Sequence, residues 1–283
     1  LTRSSAASDV YKRQTIGALV GWTTVYLGGD LSTGILVAAL VGASFGLLHA
    51  LFSVYLGDSQ HVTGIGITLF ASSIGYYSFR ILLPSSTTPP KIVAFQTIEI
   101  PVLSDIPFLG IALFQHTTFT YFAFLMVPIV FWLMNKTPLG LAIKVAGENP
   151  MALEAQGLDV LFIRTIALMI GGALMALGGA YLTMSAFDAF YFGMVNGRGW
   201  IAIALVIFAS WQPFRALLGA ILFAGFDAFQ VRAQQLAGAF IAYQFFLMLP
   251  YILSIVAMIF AAKSTHYPRA VSYTHLRAHE TDR

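Results

Sequence analysis

Cysteine is absent from this 283-residue chain. That excludes disulfides, thiolate nucleophiles and Cys-ligated metals. Charge is scarce as well, at 10% of residues, where a soluble domain carries roughly 25%. No G-x-x-x-x-G-K-[ST] occurs, so the chain has no loop of that kind to cradle a nucleotide phosphate. His49, His61, His116 and His266 show no H-E-x-x-H spacing, which leaves a zinc hydrolase without its ligand pair.

What is present in excess is apolar. With 58% apolar residues and a mean hydropathy of +0.80, the chain has more apolar surface than any water-soluble core could bury. Its solvent is lipid, and the expected fold is an all-α polytopic membrane protein. The basic pI of 9.1 has a local origin. Residues 1–14 and 271–283 hold five of the 15 Lys and Arg and three of the 12 Asp and Glu, leaving ten bases and nine acids between them. Neither end has apolar periodicity, and both resemble translated linker sequence, so they are set aside as non-native tails. The charge therefore gives no reason to expect a nucleic-acid partner. Residues 15–270 form the expected transmembrane domain. It opens on TIGALVGWTTVYLGG, a half-length apolar piece that reads as the end of a span whose start has been lost.

Spanning the hydrocarbon takes about 20 helical residues, and the apolar runs give about eight membrane segments. They are the remnant 15–28, then 31–56, 61–83, 117–134 with Pro128 inside, 162–184, the short 199–210 and 216–230, and 241–262 with Pro250. The short pair, separated by WQPFR, reads as broken or re-entrant helix. Residues 84–116 are Pro-rich and do not span. The alternation FQTIEI there suggests a partly strand-like surface segment. With this loop outside, Lys136, Lys144, Arg164, Arg215, Lys263 and Arg269 lie inside and Arg80, Lys91, Arg198 and Arg232 outside, a small positive-inside bias. Gly171, Gly172, Gly178 and Gly179 suit close helix approach.

The loop 135–160 contains VAGENPMALEAQGLDV. Asn149 is a helix cap, Pro150 suits the first helical position, Glu148 complements the helix dipole, and Gly157 supplies a stop. The result is a helix of about seven residues, too short to stand alone in water. It requires a partner surface, with Met151, Ala152, Leu153 and Ala155 available to dock.

This stretch resembles the permease subunits of bacterial ABC importers of the branched-chain amino acid, simple-sugar and nucleoside group. The resemblance falls on Gly140, Leu141, Gly147, Glu148, Asn149, Pro150, Ala152 and Gly157, and continues in GRGWIAIALVIF, WQPF, LLGAILFAGFDAFQ and MLPYILSIVAM, with IEIPVLSDIPFLG resembling the outer loop. It covers about residues 15–265, and departs at the front, where the family's first span is missing. It implies an ABC importer permease fold in the bacterial inner membrane, with 84–116 extracytoplasmic and 135–160 the cytoplasmic coupling loop.

The implied ATPase contacts are Gly140, Lys144, Gly147, Glu148, Asn149, Pro150, Met151, Ala152, Glu154 and Gly157. ATP and magnesium would sit on a partner ATPase, and this chain would bind no cofactor or metal and catalyse nothing itself. A second permease subunit (homo- or heterodimer), an extracytoplasmic substrate-binding lipoprotein and membrane lipid complete the implied partners. Within the group the outer loop, G-R-G-W and D-A-F-Q point to nucleosides or ribose-like sugars, with branched-chain amino acids the alternative. Gln60, His61, Thr63 and Asn196 are the candidate pathway residues, as neutral hydrogen-bonding groups suited to an uncharged ligand. An ion-coupled secondary transporter is the competing class, and would need an intramembrane acid such as Asp227.

Overall fold

The computed structural model describes residues 2–83, 89–99, 114–191, 193–195 and 198–237, with isolated positions 248, 252 and 255. The elements in order are α1 (Thr2–Tyr26), α2 (Leu31–Ala50), α3 (Gln60–Leu82), β1 (Thr97–Glu99), β2 (Gln115–Thr117), α4 (Thr118–Lys136), α5 (Pro138–Glu148), α6 (Pro150–Glu154), α7 (Val160–Tyr181), α8 (Arg198–Phe208) and α9 (Pro213–Ala237). The helices α2 and α7 each run on into a π-helical turn, Leu51–Tyr55 and Leu182–Ala186. Among the described residues five stretches are long and apolar enough to cross a membrane: Leu31–Tyr55, Val62–Leu82, Thr118–Lys136, Val160–Ala186 and Pro213–Ala233.

One expectation changes. Residues 216–230 are not a short broken piece. They lie inside the 25-residue α9, because Pro213 starts the helix and the continuation VRAQQLA is, after Val231, made of good helix formers. Residues 199–210 do stay short, in the 11-residue α8. At the front, α1 runs without a break from Thr2 through position 15, a stretch with no Gly or Pro to stop it, and Arg13 is buried. The expected segment 241–262, apart from 248, 252 and 255, and the tail 271–283 lie outside the described residues, as does most of the stretch between β1 and β2.

The chain divides into two compact units, 1–126 with 161–199, and 127–160 with 200–283. In the first, α1 packs against α2 and α3. The helix α2 turns small residues inward and large ones outward: Gly34, Ala38, Gly42 and Gly46 are buried, while Leu36, Leu40 and Leu47 are exposed. That is the reverse of a soluble helix. It fits a lipid-facing one, in which small residues let backbones touch.

The contacts confirm the close approach and show which glycines make it. A side chain at Gly172 would strike the Gly42 carbonyl, and one at Gly179 the Gln14 carbonyl. One at Gly46 would strike the Leu168 carbonyl, and one at Gly17 the Ala176 backbone. By contrast, Gly171 meets nothing within 4 Å and Gly178 only ordinary contact at 3.6 Å. One glycine of each pair faces the neighbouring helix, because adjacent helical residues point about 100° apart.

Gly42-Ala43-Ser44-Phe45-Gly46 spells the spacing of a hydrolase nucleophile elbow, but it lies in the middle of α2. Ser44 bonds the Val41 carbonyl at 2.7 Å and both flanking glycines serve packing. The strand-to-helix turn that such a motif requires is missing there.

At one end of this unit a core forms from Ala18, Leu19, Trp22, Leu182, Phe190, Met194 and Val195. The Trp22 indole donates to the Pro90 carbonyl at 3.2 Å. The chain that follows is tied to the turn after α7 by Ile92 N to Asp188 O (2.8 Å) and Phe95 N to Met184 O (2.9 Å). Strand β1 falls within the FQTIEI alternation and pairs antiparallel with β2, Ile98 opposite His116.

In the second unit Phe131 of α4 packs on Phe214 of α9 with ring centroids 4.9 Å apart. The turn before α9 places Ser210 and Trp211 in the left-handed region, at φ 50° and 63°.

Candidate functional site

The expected coupling loop 135–160 is two capped helices rather than one. Thr137 caps α5: its hydroxyl accepts from Gly140 N at 3.1 Å and donates to the Leu133 carbonyl at 2.6 Å, and Pro138 takes the first helical position. Asn149 caps α6 in the same way, its side-chain oxygen accepting from Ala152 N at 3.2 Å, with Pro150 first. Sequence reasoning found the second start and passed over the first, although Thr137-Pro138 repeats the chemistry of Asn149-Pro150. A Cβ on Gly140 would fall on the Leu133 carbonyl, so glycine is what lets α5 fold back against the end of α4.

The stop is a Schellman turn. Gly157 has φ +75°, its N–H bonds the Glu154 carbonyl at 2.9 Å, and Leu158 N bonds the Leu153 carbonyl at 3.2 Å. These are the 5→2 and 6→1 bonds of that motif, and they satisfy carbonyls that a short helix would leave bare. Only Pro150–Glu154 is regular helix, shorter than the expected seven residues, because the capping turns occupy the rest.

The docking face needs one correction. Leu153 is 2% exposed and belongs to the chain's own interior, with Ala142 and Ala146 of α5 also buried. Met151, at 78%, is the exposed apolar side chain of α6, and Leu141 of α5 is 62% exposed. Glu148, Glu154 and Gly157 are exposed, Gly147, Pro150 and Ala152 half-buried. Lys144 reaches back to Asn135 Oδ1 at 2.7 Å, so its charge is held near the end of α4. The segment thus presents an apolar knob within a polar rim, on a scaffold whose ends are all capped.

Of the proposed pathway residues, the structure describes the side chains of Gln60 and Thr63, both on α3. Gln60 is exposed in the first turn of α3, which Ser59 caps through Val62 N at 3.3 Å. Thr63, one turn on, is 5% exposed, and its hydroxyl oxygen has no hydrogen-bond partner. The side chain of His61 and all of Asn196 lie outside the described residues. Asp227 is exposed on α9. Arg198 lies with its guanidinium 5.6 Å from the Phe187 ring centroid. Among the described residues no group of three or more His, Cys, Asp or Glu comes together to hold a metal ion.

Residues 12–262 match the family described as branched-chain amino acid transport system / permease component. A Haloferax volcanii protein provisionally named a glucose ABC transporter permease is 33% identical over 226 residues, covering 78% of this chain and 67% of its own. The guanosine ABC transporter permease protein of Bacillus subtilis is 32% identical over 90% of this chain and 77% of its own. The nucleoside ABC transporter permease protein of Lactococcus lactis is 29% identical over 96% and 84%. No solved structure matches the chain. The match runs through the five apolar helical stretches and the doubly capped α5–α6 segment alike, and the chain belongs to this family of multi-pass inner-membrane ABC permeases.

Proposed function

We propose that this chain is the membrane-spanning subunit of an ATP-driven importer that takes up nucleosides or simple sugars, ribose-like ones included, by alternating access. The observation that supports it most is α6. A five-residue helix is stable only as part of a larger surface; the buried Leu153 anchors it to its own chain, and Met151 is left exposed for a partner. The α5–α6 segment is the place where a separate ATPase, holding ATP and magnesium, would push. The caps make it rigid enough to pass a displacement to α4, whose last turn is joined to α5 through Thr137 and Gly140. Substrate affinity and nucleotide state would be coupled through this connection.

A second permease subunit and an extracytoplasmic binding lipoprotein complete the assembly. The names of the relatives favour a nucleoside or sugar over an amino acid. Thr63 supports an uncharged cargo too, since a buried hydroxyl without a partner suits a hydrogen-bonding ligand and would not hold a charge. Gln60, His61 and Asn196 are kept as further pathway residues.

The test is the importer reconstituted in vesicles with its ATPase and binding lipoprotein. Met151→Glu and Asn149→Ala are expected to reduce substrate-stimulated ATP hydrolysis while the binding protein still docks. Stimulation equal to wild type in both variants would remove α6 from the ATPase contact. Uptake driven by a proton gradient without ATP would overturn the importer itself.

A further inference from the structure

The first unit holds a polar cluster that none of these roles uses. Thr117 ends β2, Thr120 lies in the first turn of α4, Tyr181 ends α7, and Ser185 stands in the π-helical turn that follows. Their hydroxyls form a line. Thr117 Oγ1 is 2.6 Å from Ser185 Oγ and 3.0 Å from Thr120 Oγ1, and Thr120 Oγ1 is 3.2 Å from the Tyr181 hydroxyl.

Four hydroxyls carry four protons and the line has three links, so one O–H is left over for a bond outside it; Thr117 Oγ1 also accepts from Thr120 N at 3.4 Å. The oxygens at the two ends keep acceptor capacity. The direction is not fixed, and each of Tyr181 and Ser185 can donate or accept. All four residues are half-buried. Next in sequence, the Tyr121 hydroxyl is buried with no hydrogen-bond partner, its ring edge-on to His116. Aromatic side chains lie beside the line: Phe119 meets Tyr181 edge-on at 5.6 Å and touches Phe122, and Phe122 and Phe187 are partly exposed, Phe187 also meeting Tyr191 and Arg198.

We infer that the line Ser185–Thr117–Thr120–Tyr181 is a binding point for an uncharged polyhydroxylated ligand, a sugar ring or the ribose of a nucleoside. This deepens the proposed function and rests on it. A sugar hydroxyl both donates and accepts, so it extends the line at whichever end it meets, and the exposed rings cover its apolar C–H faces. An amino-acid zwitterion offers a donor-only ammonium and an acceptor-only carboxylate. Within the line neither finds an opposite charge, since its members are hydroxyls, and the Arg198 guanidinium lies instead 5.6 Å from the Phe187 ring centroid.

The experiment uses the reconstituted importer with its ATPase and binding lipoprotein, and ribose, galactose and guanosine as probes. Tyr181→Phe and Ser185→Ala each remove an end hydroxyl and keep the packing. Each should raise the substrate concentration for half-maximal ATPase stimulation about three- to tenfold. Unstimulated ATPase and thermal stability should stay at the wild-type level. Two results overturn the inference: half-maximal concentrations unchanged in both variants, or a loss of stability and basal activity with the half-maximal concentration unmoved, which is what a purely structural tie between α4 and α7 would give. A wild-type complex that ignores all three probes and responds to leucine would instead sink the nucleoside and sugar reading itself.

Discussion

Gly140 lies so close to the Leu133 carbonyl that no side chain fits between them. Next to this contact the Thr137 hydroxyl bridges Leu133 O and Gly140 N, so α4 and α5 meet at a corner without play. Gly140→Ala should force the corner open and destabilise the fold by about 1–3 kcal/mol, as overpacking does. Coupled uptake should fall more than the loss of folded protein explains. Thermal unfolding in detergent, set beside uptake per folded molecule, checks this, and wild-type behaviour in both would show that the corner yields easily.

The caps of α6 are separable. Asn149→Ala should cost about 1 kcal/mol. Gly157→Ala, which puts a Cβ on a residue at φ +75°, should cost about 1–2 kcal/mol. Amide hydrogen exchange across 150–158 would register both as faster exchange confined to that segment. Exchange unchanged in the Gly157 variant would mean that the turn re-forms without a left-handed residue.

Met151 and Leu153 are two residues apart and should behave oppositely. Leu153→Ala removes a buried side chain and should lower stability by about 2–5 kcal/mol. Met151→Ala should leave stability within about 0.5 kcal/mol yet weaken the association with the ATPase. Pull-down of the ATPase together with a melting curve distinguishes the two, and a stable Leu153 variant would contradict the burial described here.

The adjacent glycines of α7 provide a sharper contrast. Gly172→Leu should prevent α7 from approaching α2 and abolish stable membrane expression, since the Gly42 carbonyl occupies the required space. Gly171→Leu faces open surroundings and should be accepted. Expression and monodispersity of the two variants decide the matter, and equal tolerance would mean that the helices separate at little cost.

Much of this protein was legible in its residues because the signals are local or compositional. The lipid solvent follows from the hydropathy total, the start of α6 from Asn149-Pro150, its stop from Gly157, and the strand pairing segment from the alternation around Thr97. Each depends on bonds within a few residues or on a sum over the chain. The α5 helix was equally legible at Thr137-Pro138, but its apolar and small residues read as loop flanking a better-marked neighbour. The tertiary structure decided the rest. It determined that Leu153 turns inward and Met151 outward, which of two adjacent glycines touches another backbone, and that Thr117, Thr120, Tyr181 and Ser185 form one line. Helical phase sets the angles between side chains, but only the neighbour packed against a face decides which angle is buried. A 68-residue separation such as that from Thr117 to Ser185 is closed by packing, which no local pattern records.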